Sequence, residues 1–225
     1  MRDEPVLLVH GFATSAARTW GDNGWIDLLG DAGRQVIAPD LLGHGEAAKP
    51  HETEAYAALE SELASVLPGR PVDAVGFSLG ARLVLTLAVE DPSRFARIVV
   101  AGVGANVFRT DTSDVIGRAI EGDGDPANPV VQYFAGLAAQ PGADRAALAA
   151  CIRSRRPRLD AEDLAKVTCP VLVVLGDRDF AGPADPLVAA LPDATFVPLR
   201  NVDHFATPKD FTFMDAALDF LDAQV

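Results

Sequence analysis

Cysteine is all but missing. Of 225 residues only Cys151 and Cys169 carry a thiol, and neither sits in a redox or metal-ligand spacing, which excludes a disulfide-stapled secreted scaffold and a cysteine-rich metal site. Both read as ordinary core or surface thiols. Long apolar runs are missing too: no stretch approaches the roughly 20 residues that span a bilayer. Met1 to Pro5, with Arg2, Asp3 and Glu4, lacks the basic start, apolar region and small-residue cleavage site of a secretory leader. The expectation is a cytoplasmic chain with no membrane partner. Basic charge is scarce. Lysine and arginine total 19 against 32 aspartates and glutamates, a formal net charge of −13, so the surface repels phosphate backbones and nucleic acid is not an expected partner. The sequence contains no internal repeat and no signal of oligomeric state.

What is present suits one α/β domain with a substantial core. Short β-branched runs recur at Val6 to Val9, Val36 to Ala38, Val72 to Val75, Ile98 to Val100, Val171 to Leu175 and Phe196 to Leu199. Between them lie helical stretches at Trp25 to Ala32, Thr53 to Leu67, Leu79 to Glu90, Pro186 to Leu191 and Pro208 to Ala223. This alternation predicts a mostly parallel sheet flanked by helices, because strands buried on both faces are apolar throughout. The rhythm fails from about Ala105 to Lys166, where a Gly/Asp/Pro-rich stretch (Glu121 to Pro129), Ala-rich helical pieces and four arginines (Arg153, Arg155, Arg156, Arg158) occur without a convincing strand. A structureless connection of that length is improbable in a compact domain, so 105–166 reads as a small helical insertion into a core made of 1–104 and 167–225.

Gly76-Phe77-Ser78-Leu79-Gly80 stands where the strand from Val72 ends and the helix from Leu79 begins. A serine on so sharp a strand-to-helix turn needs glycine two positions to either side, and its hydroxyl is presented as a nucleophile. A serine nucleophile needs a base, and the chain has four histidines. His51 lies in a polar turn, while His10 and His44 precede the serine in glycine-rich loops suited to backbone support. His204 remains, in a loop between the last strand and the last helix, at the sheet edge where such folds assemble their sites. Gly176-Asp177-Arg178-Asp179 follows the fifth strand and offers two acids that could orient the imidazole, Asp177 and Asp179. The order serine, acid, histidine differs from those of chymotrypsin and subtilisin.

With these motifs the chain resembles the α/β-hydrolase superfamily, bacterial esterases and lactonases in particular, over essentially its whole length. The resemblance implies Asp179 as the acid, with Asp177 structural, and Phe12 and Leu79 as backbone donors of an oxyanion hole. It implies a structural hydrogen-bonding role for His10 and a small cap formed by 105–166. Two departures stand out. Ala47 occupies a position where such proteins often have serine, and the chain enters almost directly on the strand leading to His10, which predicts a sheet of about six strands. Phe108, Val130, Val131, Tyr133, Phe134 and Leu137 are the expected roof of a substrate pocket. The expected activity is hydrolysis of small-molecule carboxylic esters with small to medium, largely apolar acyl groups, with no metal or organic cofactor. Lactone, thioester or carbon–carbon bond hydrolysis by the same triad, or ligand binding with little turnover, are the alternatives. The arginine cluster reads as a solvated helix face, with carboxylate recognition as its functional alternative.

Overall fold

Three of the apolar runs have no side chain facing water: Val6–Val9 (β1) and, further on, Val72–Phe77 and Val171–Gly176 are buried at every position. Such strands can lie only inside a sheet covered on both faces. A computed structural model describes residues 3–109, 113–125, 127–154 and 158–224. In it, β1 is joined by Val36–Ile37 (β2), Val72–Phe77 (β3), Phe95–Ala101 (β4), Val171–Gly176 (β5) and Ala194–Leu199 (β6). The order across the sheet is β2-β1-β3-β4-β5-β6, and each neighbouring pair runs parallel.

Parallel neighbours require crossovers. In chain order the helices are α1 (Trp25–Asp31), α2 (Leu59–Ser65), α3 (Leu79–Glu90), α4 (Ser113–Glu121), α5 (Pro129–Ala138), α6 (Arg145–Arg153), the single turn α7 (Ala161–Leu164), α8 (Asp185–Ala190) and α9 (Phe211–Phe220). Alternation along β1 divides the core. Leu7 and Val9 pack with α2 and α3 on one face, while Val6 and Leu8 pack with Trp20, Trp25 and Phe213 on the other. The rings of Trp25 and Phe213 lie 4.7 Å apart. At the amino edge of the sheet, buried Asp73 on β3 meets buried Arg34 at 2.5 Å, and Arg34 also donates to the carbonyl of Leu221 beyond α9. The pair ties three segments together at a point remote from the carboxyl edge.

Two expected helices are shorter. The stretch from Thr53 forms a 3-10 turn (Thr53–Tyr56), and α2 begins only at Leu59. The cause is Tyr56, whose buried ring is drawn under Gly43 and whose hydroxyl donates to the carbonyl of Pro50 at 2.6 Å. Likewise Thr207–Lys209 is a separate turn, and α9 starts after Asp210, whose carboxylate caps it by accepting from the Phe213 amide. The strand expected to reach Ala38 ends at Ile37. A π-type turn at Ala17–Gly21 was not foreseen.

Between β4 and β5 a 3-10 turn at Ala105–Phe108 is followed by α4 to α7, with no strand among the described residues. Asn128 and Asp144 cap α5 and α6 by accepting backbone N–H bonds. Arg153 of α6 forms a two-pronged bond to Glu121 of α4, at 2.6 and 2.8 Å. Among the described residues no helix is long and apolar enough to cross a membrane.

Candidate active site

The site begins with a close approach of main chains. A Cβ on Gly80 would lie 2.1 Å from the carbonyl oxygen of Val9, and one on Gly76 would lie 2.6 Å from the Ala81 Cα. Only glycine lets β1, β3 and the first turn of α3 meet this tightly. Between the two glycines Ser78 adopts φ 53° and ψ −111°, a left-handed conformation costly for any residue with a Cβ. Its amide donates to the Ala101 carbonyl at 2.8 Å, which pins the turn to β4. The hydroxyl is thereby raised over the carboxyl edge at the start of a twelve-residue helix.

Ser78 Oγ lies 2.9 Å from His204 Nε2. On the other side of the ring, His204 Nδ1 lies 2.9 and 3.0 Å from the two oxygens of Asp179. Facing a carboxylate, Nδ1 carries the proton, which leaves Nε2 to accept from the serine hydroxyl. Asp179 is itself held by the Ala181 amide, which donates to it at 2.8 Å. His204 sits between the rings of Phe77 and Phe180, at 5.0 and 4.4 Å. Histidine and acid are both buried, at 5% and 9% exposure. Of the two acids considered, Asp177 is exposed and its amide is tied to the Leu199 carbonyl.

The other histidines do different work. His10 is fully buried, and its Nε2 accepts from the Leu41 amide at 3.0 Å, so Nδ1 carries the hydrogen toward the Gly11 carbonyl at 2.7 Å. Burial pushes its pKa below the usual histidine value. Asp40, in the loop after β2, accepts from the Ala16 and Glu46 amides, both at 2.8 Å. Together they hold the loop that carries Phe12. His44 is buried beside both Phe12 and His10. His51 is exposed and pairs with Asp144. The Phe12 and Leu79 amides have no hydrogen-bond acceptor among the described residues, and the Leu79 amide sits at the positive end of α3.

A cavity of about 150 Å³ opens over Ser78 and His204. Phe12, Tyr133, Phe134, Leu137 and Phe205 form its apolar side. Phe134 meets Phe12 with ring centres 5.8 Å apart, and Tyr133 stacks on Phe205. Three expected pocket residues lie elsewhere, and of these Phe108 packs against the main core and Val130 is 40% exposed. Both flank turns, after β4 and at the start of α5, where helical phase gives no guide to direction. Val131 is buried beneath Gly124 rather than in the cavity. Arg153 is committed to Glu121 and Asp114 and does not line the cavity; Arg158 is exposed, and Arg155 and Arg156 lie outside the described residues. No sequence pattern marks the polar side, formed by Thr14, Arg18, Thr19, Asn23 and Lys209. These stand in loops and single turns, where no periodicity marks a direction.

Residues 6–217 match the sequence profile described as the alpha/beta hydrolase family. The chain is 33% identical over 138 residues to the 2-hydroxy-6-oxo-2,4-heptadienoate hydrolase of Pseudomonas putida, a match covering 58% of this chain and 49% of that protein. The match thus spans about half the length of that relative. Among solved structures it is similar to a bromoperoxidase from Bacillus anthracis, with a TM-score of 0.77 at 24% identity over 98% of this chain and 92% of the other. It is also similar to the 2-hydroxy-6-oxo-6-phenylhexa-2,4-dienoate hydrolase of Rhodococcus sp. strain RHA1, with a TM-score of 0.74 at 23% identity over 98% and 91%. At these identities the structural likeness speaks to fold alone.

Proposed function

The chain belongs to the alpha/beta hydrolase family, and from that premise we propose that it is a serine hydrolase cleaving small-molecule carboxylic esters of small to medium acyl groups in the cytoplasm. The observation that carries this reading is the unbroken relay from Ser78 through His204 to Asp179, opening into the cavity. His204 Nε2 takes the hydroxyl proton as Ser78 Oγ bonds to the ester carbonyl carbon, and the carbonyl electron pair moves onto its oxygen. The Phe12 and Leu79 amides receive that oxyanion; they are fixed by the His10 and elbow packing and need no rearrangement as charge develops. When the tetrahedral adduct collapses, the bond to the alcohol breaks and His204 returns its proton to the departing oxygen. Water, deprotonated by His204, then attacks the acyl-enzyme and Ser78 leaves with the proton. The balance is ester plus water to acid plus alcohol, and no group outside the chain is required. Residues 105–166 act as the cap, with α5 forming the roof.

The test is a fluorophosphonate probe together with p-nitrophenyl butyrate. We expect labelling at Ser78 and multiple turnovers, both lost in Ser78→Ala. A single burst, or activity surviving in that variant, counts against the reading. Carbon–carbon bond hydrolysis is the second reading, favoured by the name of the Pseudomonas relative. It predicts faster cleavage of a 2-hydroxy-6-oxo dienoate than of any simple ester, again lost in Ser78→Ala.

A further inference from the structure

We propose that the substrate carries a carboxylate, received by Lys209 and Arg18 at the polar side of the catalytic cavity. The inference rests on the hydrolase reading above and adds the charge of the molecule hydrolysed.

Acids outnumber bases 32 to 19 in this chain, yet among the described residues no acid lines the cavity, where Arg18 and Lys209 are both cationic. Lys209 is exposed, and its ammonium makes no hydrogen bond or ion pair with a described residue. The other lysines are engaged, Lys49 with the Gly45 and Ala47 carbonyls and Lys166 with Asp163. Of the acids near Lys209 in sequence, Asp203 accepts from the Phe205 and Ala206 amides and Asp210 from the Phe213 amide, and neither forms an ion pair with the ammonium. The turn bearing Lys209 is fixed, since the buried Trp25 indole donates to the Pro208 carbonyl at 2.8 Å. Arg18 reaches across to the loop between α5 and α6, where it donates to the Gln140 side chain and, at 3.0 Å, to the Pro141 carbonyl. Both acceptors are neutral, so the guanidinium keeps its charge.

An anion approaching a surface of net charge −13 is repelled at long range. Lys209 and Arg18 oppose that field within the cavity, which has an apolar wall beside Ser78 and, at its polar side, two cations and no lining acid among the described residues. The fitting substrate is an ester with an apolar body and one carboxylate, a narrower class than the largely apolar esters expected from the roof residues. Because the cations are exposed, the discrimination is modest and screened by salt.

Two substrate pairs test this, one for each end of the ester. Monomethyl adipate against its carboxamide analogue places the charge on the acyl side, and 4-acetoxybenzoate against 4-acetoxybenzamide places it on the leaving group. In at least one pair the carboxylate is expected to show the higher kcat/KM. Lys209→Gln should lower that ratio about fivefold, Lys209→Arg should keep it, and Lys209→Glu should reverse it. Raising ionic strength from about 0.02 to about 0.5 M should erode it. Equal or better turnover of the carboxamide in both pairs overturns the inference and leaves the hydrolase reading standing. Binding gives the converse arm: calorimetry of Ser78→Ala with the carboxylate and the carboxamide of each pair should show tighter carboxylate binding in at least one pair, weakened in Ser78→Ala/Lys209→Gln. That preference without turnover by the unmutated protein sinks the hydrolase reading alone; its absence sinks the carboxylate inference.

Discussion

The carboxyl edge of the sheet and the helices between β4 and β5 face each other across one cavity, yet they are built by different means. At the edge, main chain lies against main chain: Gly80 meets Val9, Gly76 meets Ala81, and Gly176 stands where a Cβ would fall 2.0 Å from the Val202 carbonyl oxygen. Any side chain there would have to move a strand. The roof of the cavity meets the site through side chains, Phe134 on Phe12, Tyr133 on Phe205 and Arg18 on the loop after α5, while the turn at Ala105–Phe108 keeps main-chain bonds to the Ala181 and Pro183 carbonyls. Arg153 and Glu121, which join α6 to α4, are 31% and 45% exposed, and a pair so open to water contributes little stability. The contrast separates two tasks. Reactive geometry is fixed by backbone, whereas the walls that choose the substrate can change residue by residue without moving Ser78, His204 or Asp179.

If backbone fixes the reactive geometry, catalysis should collapse when the relay is altered and survive a change just outside it. Asp179→Asn keeps the acceptor for the Ala181 amide but presents an amide to His204 Nδ1 and favours the wrong tautomer. It should lower kcat by about 10⁴-fold, the scale seen when an orienting acid is removed elsewhere. Asp177→Asn, two residues away and exposed, should change kcat by less than about threefold. Steady-state kinetics with one ester decides between them. A larger loss from Asp177→Asn in a folded protein would overturn the geometry.

A tenfold effect per pH unit is expected at His10, which ties β1 to the loop after β2. Protonating it would set an N–H against the Leu41 amide in a site with no exposure. Burial holds its folded pKa below 6.5, whereas the unfolded value is about 6.5. Below that pH the unfolded chain binds more protons. The stability that neutral His10 provides is therefore complete above about pH 6.5 and is lost as pH falls through the folded pKa. The slope reaches at most about 1.4 kcal/mol per pH unit. Urea unfolding between about pH 7 and pH 5 should show this component, and His10→Gln should remove it, at some cost in stability at every pH. An unchanged slope in that variant would show that His10 does not carry it.

The same division explains what could be read in advance. Strands buried on both faces and an elbow that tolerates only glycine leave few alternatives, so the six strands and the Ser78 turn follow from residue type. The choice between Asp177 and Asp179 did not follow from the residues, because both stand just past β5; only the folded loop turns one inward and leaves the other in water. Thr53 to Leu67 has helical spacing throughout, yet a tertiary contact, Tyr56 under Gly43, splits it. Phe108 and Val130 are apolar beside a pocket, as expected of lining residues, but apolarity does not tell core from roof. Arg18 and Lys209 were invisible for the opposite reason: a cation in a loop usually faces solvent, and only the crossover of the chain brings these two to one cavity.

A change in the α5 wall should alter substrate choice modestly and leave the chemistry alone. Leu137 lies one helical turn beyond Tyr133 on α5, with Phe134 between them, and all three line a cavity of about 150 Å³. A space that small admits a short acyl chain, and activity on p-nitrophenyl esters should fall steeply from butyrate toward dodecanoate. Leu137→Ala removes three carbons from the wall. Each methylene newly accommodated contributes about 0.8 kcal/mol, or roughly fourfold in kcat/KM. The ratio for octanoate over butyrate should accordingly rise by about fourfold to fifteenfold, while fluorophosphonate labelling of Ser78 continues at a similar rate. Val130→Ala, two turns earlier but 40% exposed and outside the cavity, should leave the ratio as it was. If long-chain esters or emulsified triglycerides are the fastest substrates of the unmutated protein, the roof does not confine the acyl group and this view of α5 fails.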